Sequence, residues 1–252
     1  MAMIGAAWPH RTAVPYDADV PDGADPIPRD PLEWRPQVPV GRGVRGASIE
    51  DPILEPHWSG QHVLAHYDSR RGTADGEPWL RLLDHEGEDV TATEPQVSHA
   101  LRGAVMAVDA VVDGFLTSDA TRTGLGASLA TRAEIPRFQL FMPRPTDLDV
   151  VPIEGHDRDN LVAFVAVDLL QVDGQPLFDV PLLERKRLLE SVIEPADLVR
   201  ISVYTRPPLL PWLNSWRAAG LAGLIMKGAN SRYRPGAEST DWTVVLKTSG
   251  RR

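Results

Sequence analysis

From residue 53 onward the apolar residues come in short runs broken by turn formers, a pattern that predicts strands. The runs are VLAHY at 63–67, PWLRLL at 78–83, AVMAVDAVV at 104–112, FQLFM at 138–142 and LVAFVAVDLL at 161–170. VRISVY at 199–204, GLIMK at 223–227 and WTVVLK at 242–247 follow. Asp113-Gly114 and Asp173-Gly174 read as the turns between such runs. Two stretches carry helical spacing instead. PLLERKRLLESVI, 181–193, opens with proline and sets Leu182, Leu189 and Ile193 on one side. LLPWLNSWRAAG, 209–220, places Trp212 and Trp216 one turn apart, the spacing of a packing pair. Strands with helices in irregular order predict an α+β domain rather than a βαβ repeat.

Residues 1–50 break this pattern: they hold eight prolines and no periodicity. Proline removes backbone donors and fixes φ, so the segment cannot build regular ladders. It is expected to be an arm over the surface of a domain spanning 51–252, with Trp8 and Trp34 as apolar anchors, or else a disordered tail.

Composition narrows the class. With 252 residues and 42% hydrophobic content the chain can bury an ordinary core. Its longest apolar run, LVAFVAV at 161–167, is far short of a bilayer span, and MAMIGAAWPHR lacks the core of a signal peptide. A cytoplasmic protein without membrane contact is the expectation. The absence of cysteine excludes disulfides, thiolate zinc sites and cysteine nucleophiles. A net charge of −9 argues against a broadly basic nucleic-acid surface. The cations themselves are unusual: only Lys186, Lys227 and Lys247 are lysines, so the first 185 residues offer no amine nucleophile.

Three separated blocks then carry a resemblance. EPHWSGQHVLAH at 55–66 is similar to the Glu-Pro-Lys-x-Asp-Gly-x-Arg strand of the ATP-dependent DNA ligase adenylation domain, a nucleotidyltransferase. FVAVDLLQVDGQPLFDVPLLERKRLLE at 164–190 resembles that family's strand, Asp-Gly turn and arginine-rich helix. GLAGLIMKGANSRYRPGAESTDW at 220–242 resembles its Gly-Leu-Glu-Gly to Tyr-x-Pro-Gly segment. The resemblance implies antiparallel β-sheets flanked by helices. It also implies a chemistry in which lysine attacks the α-phosphate of ATP and the resulting AMP passes to a 5′-phosphate, with carboxylates holding metal. The OB-fold domain that follows in DNA ligases is expected to be missing, since the chain ends at Arg252.

Position by position, the resemblance implies a degenerate nucleotide pocket. The nucleophile falls on His57, the following aspartate on Ser59 and the arginine on His62. The phosphate-contacting arginine falls on His85, the Asp-Gly-Glu carboxylate on Phe115 and the adenine-stacking aromatic on Val167. The glutamate of Gly-Leu-Glu-Gly falls on Ala222, and two phosphate lysines fall on Val244 and Leu246, with Lys247 one step beyond. Glu55 and Lys227 match. Glycines, turn residues and apolar strand positions survive while nucleophile, carboxylates and cations do not. That selectivity describes a pseudoenzyme in which apolar bulk fills the site of desolvated charge.

The expectation is therefore a binding or scaffolding subunit in DNA repair or nucleic-acid end joining, needing no cofactor. Its partner would be an active ligase or another repair factor. Arg185, Arg187, Arg232 and Arg234 are candidate nucleic-acid contacts, each also readable as a solvated surface charge. The alternative is an active nucleotidyltransferase, with ATP and Mg²⁺, using His57 or a lysine supplied by a partner. A zinc site from His57, His62, His66 and His85 is disfavoured because strand geometry points His57 away from His62 and His66. Ser59 beside His57 lacks a third triad member, and GLGASLA at 124–130 is too weak a phosphate loop.

Overall fold

The computed structural model describes residues 27–40, 49–125 and 161–246; Trp8, the FQLFM run and Lys247 lie outside them. In chain order the elements are β1 (Val38–Pro39), β2 (Pro52–Pro56), β3 (Gln61–Gly72), β4 (Pro78–Asp84), α1 (Pro95–Ala104), β5 (Asp109–Thr117) and α2 (Asp119–Thr123). β6 (Ala163–Val172), β7 (Gln175–Pro176), α3 (Leu182–Val192), β8 (Val199–Ile201), α4 (Leu209–Ala218), β9 (Gly223–Gly228), β10 (Glu238–Ser239) and β11 (Trp242–Leu246) follow. The larger sheet runs β4-β3-β5-β6-β7, with β8 pairing β6 in parallel. The smaller sheet runs β11-β9-β2, antiparallel throughout. β1 pairs β10 in parallel. The expected α+β class, antiparallel sheets with helices, is what the chain adopts.

Each sheet face finds a cover. Ala65, Val112 and Leu169 turn to one face of the large sheet and pack with Leu101 of α1 and Leu189 of α3. Burying such leucines is worth about 1.5–3 kcal/mol each. A second core joins Val165 on β6 to Leu224, Val245, Leu213 and Trp216, seating α4 against both sheets. A third gathers Trp34, Leu64, Leu170, Phe178, Tyr233 and Trp242. Trp34 meets Phe178 edge-on at 4.7 Å, and its indole N–H donates to Pro28 O at 2.8 Å.

Two sequence readings are corrected. AVMAVDAVV is not one strand: Ala104 closes α1, and β5 begins only at Asp109. The helix had its own signal, with Pro95 at its start and Val97, Leu101 and Ala104 buried at helical spacing. Asp113-Gly114 is not a turn either but the middle of β5, where Asp113 faces Leu64 and Gly114 faces Val63. Glycine is required there by packing, since a Cβ would come within 2.4 Å of the Phe164 ring. Asp173-Gly174 does turn the chain, with both φ angles positive at 48° and 75°.

Pairing of β5 with β6 shifts beside the site. Asp113 faces Asp168 and Gly114 faces Ala166, which leaves Val167 as an extra residue with no partner on β5. Such a bulge re-aims a side chain, and Val167 joins the wall of a cavity.

Candidate functional site

A cavity of about 70 Å³ lies between the two sheets. Glu55 and Pro56 of β2, with His57 and Trp58 just after it, form one wall together with Lys227 of β9 and Val244 of β11. His62 of β3, Asp113 and Phe115 of β5 and Val167 of β6 form the other. Gln37 and Pro39 close one side. The volume is roughly half that of the ~150 Å³ cavity that admits benzene.

The floor is charged. Lys186 Nζ lies 2.8 Å from Glu55 Oε1, and Lys227 Nζ lies 3.4 Å from Glu55 Oε2. All three side chains are buried. Lys227 also sits 4.3 Å from the centroid of the Trp242 ring, a cation–π position. Burial pushes the Lys186 ammonium below its ordinary pKa, and Glu55 opposes that shift.

The opposite wall is a chain of hydrogen bonds. Gln37 N–H donates to the Tyr233 hydroxyl at 2.8 Å, and that hydroxyl donates to Asp113 Oδ2 at 2.7 Å. Asp113 Oδ1 lies 2.6 Å from His62 Nε2. The His62 ring stacks on Phe115 with centroids 4.3 Å apart and planes 9° apart. Burial first, and the Asp113 carboxylate next, push the Tyr233 phenol well above its usual pKa, so it keeps its proton.

Of the residues singled out in the sequence, Glu55, His57, His62, Phe115, Val167, Lys227 and Val244 line this one cavity. Ser59 turns away: its N–H and hydroxyl both donate to Asp119 Oδ2, at 2.8 and 2.5 Å. Burial alone would raise the Asp119 pKa, but hydrogen bonds from Ser59 and Arg122 outweigh it and hold the carboxyl below its usual range. The turn into β3 needs Gly60, which has φ 106° and would bring a Cβ to 2.2 Å from Leu116 O. His85 stands at the end of β4, exposed and 2.8 Å from Glu86, outside the cavity. Ala222 is exposed before β9, and Leu246 ends β11 opposite Gly223; neither lines the cavity.

The arginines divide. Arg185 is not a surface residue: its Nε and Nη2 grip Asp168 at 2.8 and 2.7 Å, and both side chains are fully buried. Arg187 is exposed and paired with Glu184. Arg234 is half-buried, 3.4 Å from Asp179, while Arg232 is exposed. Sequence reading missed Lys186 and Tyr233 as site residues. Lys186 had a signal, because Leu182, Lys186 and Leu189 recur on one helical face.

The four histidines weighed for zinc do not assemble. Among the described residues the one group with ligand atoms close together is Asp84, His85 and Glu86 at the end of β4, away from the cavity. No helix among the described residues is long and apolar enough to cross a membrane.

The chain is similar to known proteins. The chain is 29% identical to a DNA ligase of Methanothrix thermoacetophila over 218 residues, covering 82% of this chain and 34% of that protein. It is 27% identical over 212 residues to the multifunctional non-homologous end joining DNA repair protein LigD of Mycobacterium tuberculosis, covering 82% of this chain and 23% of that one. The chain therefore spans about a third or less of the length of these relatives. Mycobacterial DNA ligase D complexed with ATP and MES shares the fold, with a TM-score of 0.56 at 22% identity over 86% of this chain and 61% of that one. The M. tuberculosis LigD ligase domain gives 0.55 at 22% identity, over 85% and 60%. Residues 67–245 match the family described as the ATP dependent DNA ligase domain, and the chain belongs to that family.

Proposed function

We propose that this ligase-type domain has given up lysine adenylation and works as a binding or scaffolding subunit in DNA repair or end joining. One observation carries the reading: the cavity presents His57, two residues beyond Glu55, where the family's chemistry calls for a lysine. The remaining walls agree with it. Phe115, Val167 and Val244 are apolar, and Asp113 already serves two donors. Glu55 is held by two lysines. This donor set does not fit Mg²⁺ with a triphosphate, which needs free carboxylate oxygens and unengaged cations. No step through ATP is therefore assigned to these residues. Val167 and Phe115, which differ from the family pattern, pack into the core that joins the sheets, so the fold remains available as a platform for DNA or for an active ligase or repair protein.

A second reading, an active transferase through His57, draws on the placement of His57 and Lys227 in one cavity. Intact mass spectrometry after incubation with ATP and Mg²⁺ or Mn²⁺ separates the two. No AMP adduct, together with retained binding of nicked duplex or of a ligase partner, supports the platform. A stable AMP adduct that disappears in His57→Ala overturns it.

A further inference from the structure

The hydrogen-bond chain behind His62 fixes its tautomer. A backbone amide can only donate, so Gln37 N–H occupies an acceptor site of the Tyr233 oxygen, and the phenol's single proton goes to Asp113 Oδ2. The Asp113 carboxylate, buried and already held from that side, accepts on Oδ1 from His62 Nε2–H. Neutral His62 therefore carries its proton on Nε2 and a bare lone pair on Nδ1. Nδ1 takes no hydrogen bond from any described residue, while the side chain is 18% exposed and lines the cavity. Stacking on Phe115 holds the ring in place. A carboxylate that orients one imidazole nitrogen while the other faces a site is the arrangement that makes histidine a nucleophile or a ligand. The described residues supply no set of ligand atoms around His62 that could hold a metal.

We infer that His62 is a phosphoryl-accepting histidine, a covalent modification site in the cavity of this domain. Its Nδ1 lone pair attacks phosphorus in a small donor with a good leaving group, such as phosphoramidate or an acyl phosphate. The new N–P bond forms as the bond to the leaving group breaks, and ammonia or the carboxylate departs with the bonding pair. The Nε2 proton stays in its bond to Asp113, so the ring gains no net proton. Asp113 is a positioning residue, because it acts on the reaction only through the imidazole that it holds. The step needs no nucleotide, so it stands apart from the fate of the lysine chemistry.

The test is labelling of the full chain with potassium phosphoramidate, followed by peptide mapping over time. Exposure alone ranks His62 behind His85 and His99, whose side chains are 65% and 78% exposed. The expected result is the reverse, with His62 labelled at least several-fold faster than either and the label lost in mild acid. Asp113→Asn should slow His62 at least tenfold while His85 and His99 label as before. His85 or His99 labelled first, or an unchanged His62 rate in a folded Asp113→Asn variant, overturns the proposal. Should Asp113→Asn fail to give a cooperative melt, the His62-to-His85 ratio in the unmodified chain decides alone.

Discussion

Lys186 Nζ and Glu55 Oε1 lie 2.8 Å apart although 131 residues separate them, and Lys227 approaches the other oxygen of the same carboxylate. One acidic group thus holds two buried ammoniums. Removing Glu55 should strand both, whereas removing Lys186 leaves the Glu55–Lys227 pair intact. Glu55→Gln is expected to cost about 3–5 kcal/mol and Lys186→Met under ~2 kcal/mol, because a buried pair is damaged most by an orphaned charge. Urea unfolding of the two variants checks the order. Equal losses would show that Lys186 matters to the floor as much as Glu55 does.

His66 on β3 is 3% exposed, and its Nε2 has no hydrogen-bond partner among the described residues. Burial, then the Arg35 cation, lowers its pKa from 6.5 to about 4, with Arg81 adding to the shift and Asp30 opposing it. The unfolded chain therefore binds this proton more readily. Stability from neutral His66 is complete above pH 6.5 and is lost as pH falls towards 4, a difference of about 3 kcal/mol. Thermal melts across that window should show the slope in the parent and a flatter profile in His66→Leu. An equal slope in both would place the acid sensitivity elsewhere.

Arg185 and Arg187 are two residues apart on α3 and should behave oppositely. Arg185→Ala leaves Asp168 as an unpaired buried charge and is expected to cost about 3–5 kcal/mol. Arg187→Ala breaks one exposed pair with Glu184 and should change stability by less than ~0.5 kcal/mol. Any loss of nucleic-acid binding in Arg185→Ala must then track the unfolded fraction. Binding lost by a fully folded Arg185→Ala protein would show that the arginine reaches the ligand.

These residues also show what the sequence could reveal. Strand positions such as Leu64 and Val165 were legible because they lie in continuous apolar runs bounded by turn formers, runs that are buried on both faces, and His57 was legible because Glu55-Pro56 and Gly60 frame it. Asp113-Gly114 misled because the pair looks like a turn wherever it occurs; the Phe164 ring and the Val165 carbonyl, some 50 residues away, explain the glycine. Arg185 misled because a cation in a polar helix reads as solvated until its partner, Asp168, is known to lie beneath it. Lys186 shares that position: both cations stand three or four residues from Leu182 and Leu189 on the buried face of α3, so the helical period pointed both inward and only their charge suggested otherwise.

His57→Lys is the most direct probe of the proposed loss of lysine adenylation. It returns an amine two residues beyond Glu55, at the wall where His57 lines the cavity. A nucleophile alone does not transfer a nucleotide, because the developing phosphate charge must also be neutralised. In this chain the surrounding positions are Phe115, Val167 and Val244, and the floor cations are already engaged with Glu55. The expected result is a folded variant with no AMP adduct by intact mass and no nick sealing. A stable adduct on the introduced amine of His57→Lys would mean that the apolar walls still admit ATP and metal, and that histidine at this one position is what silences the site.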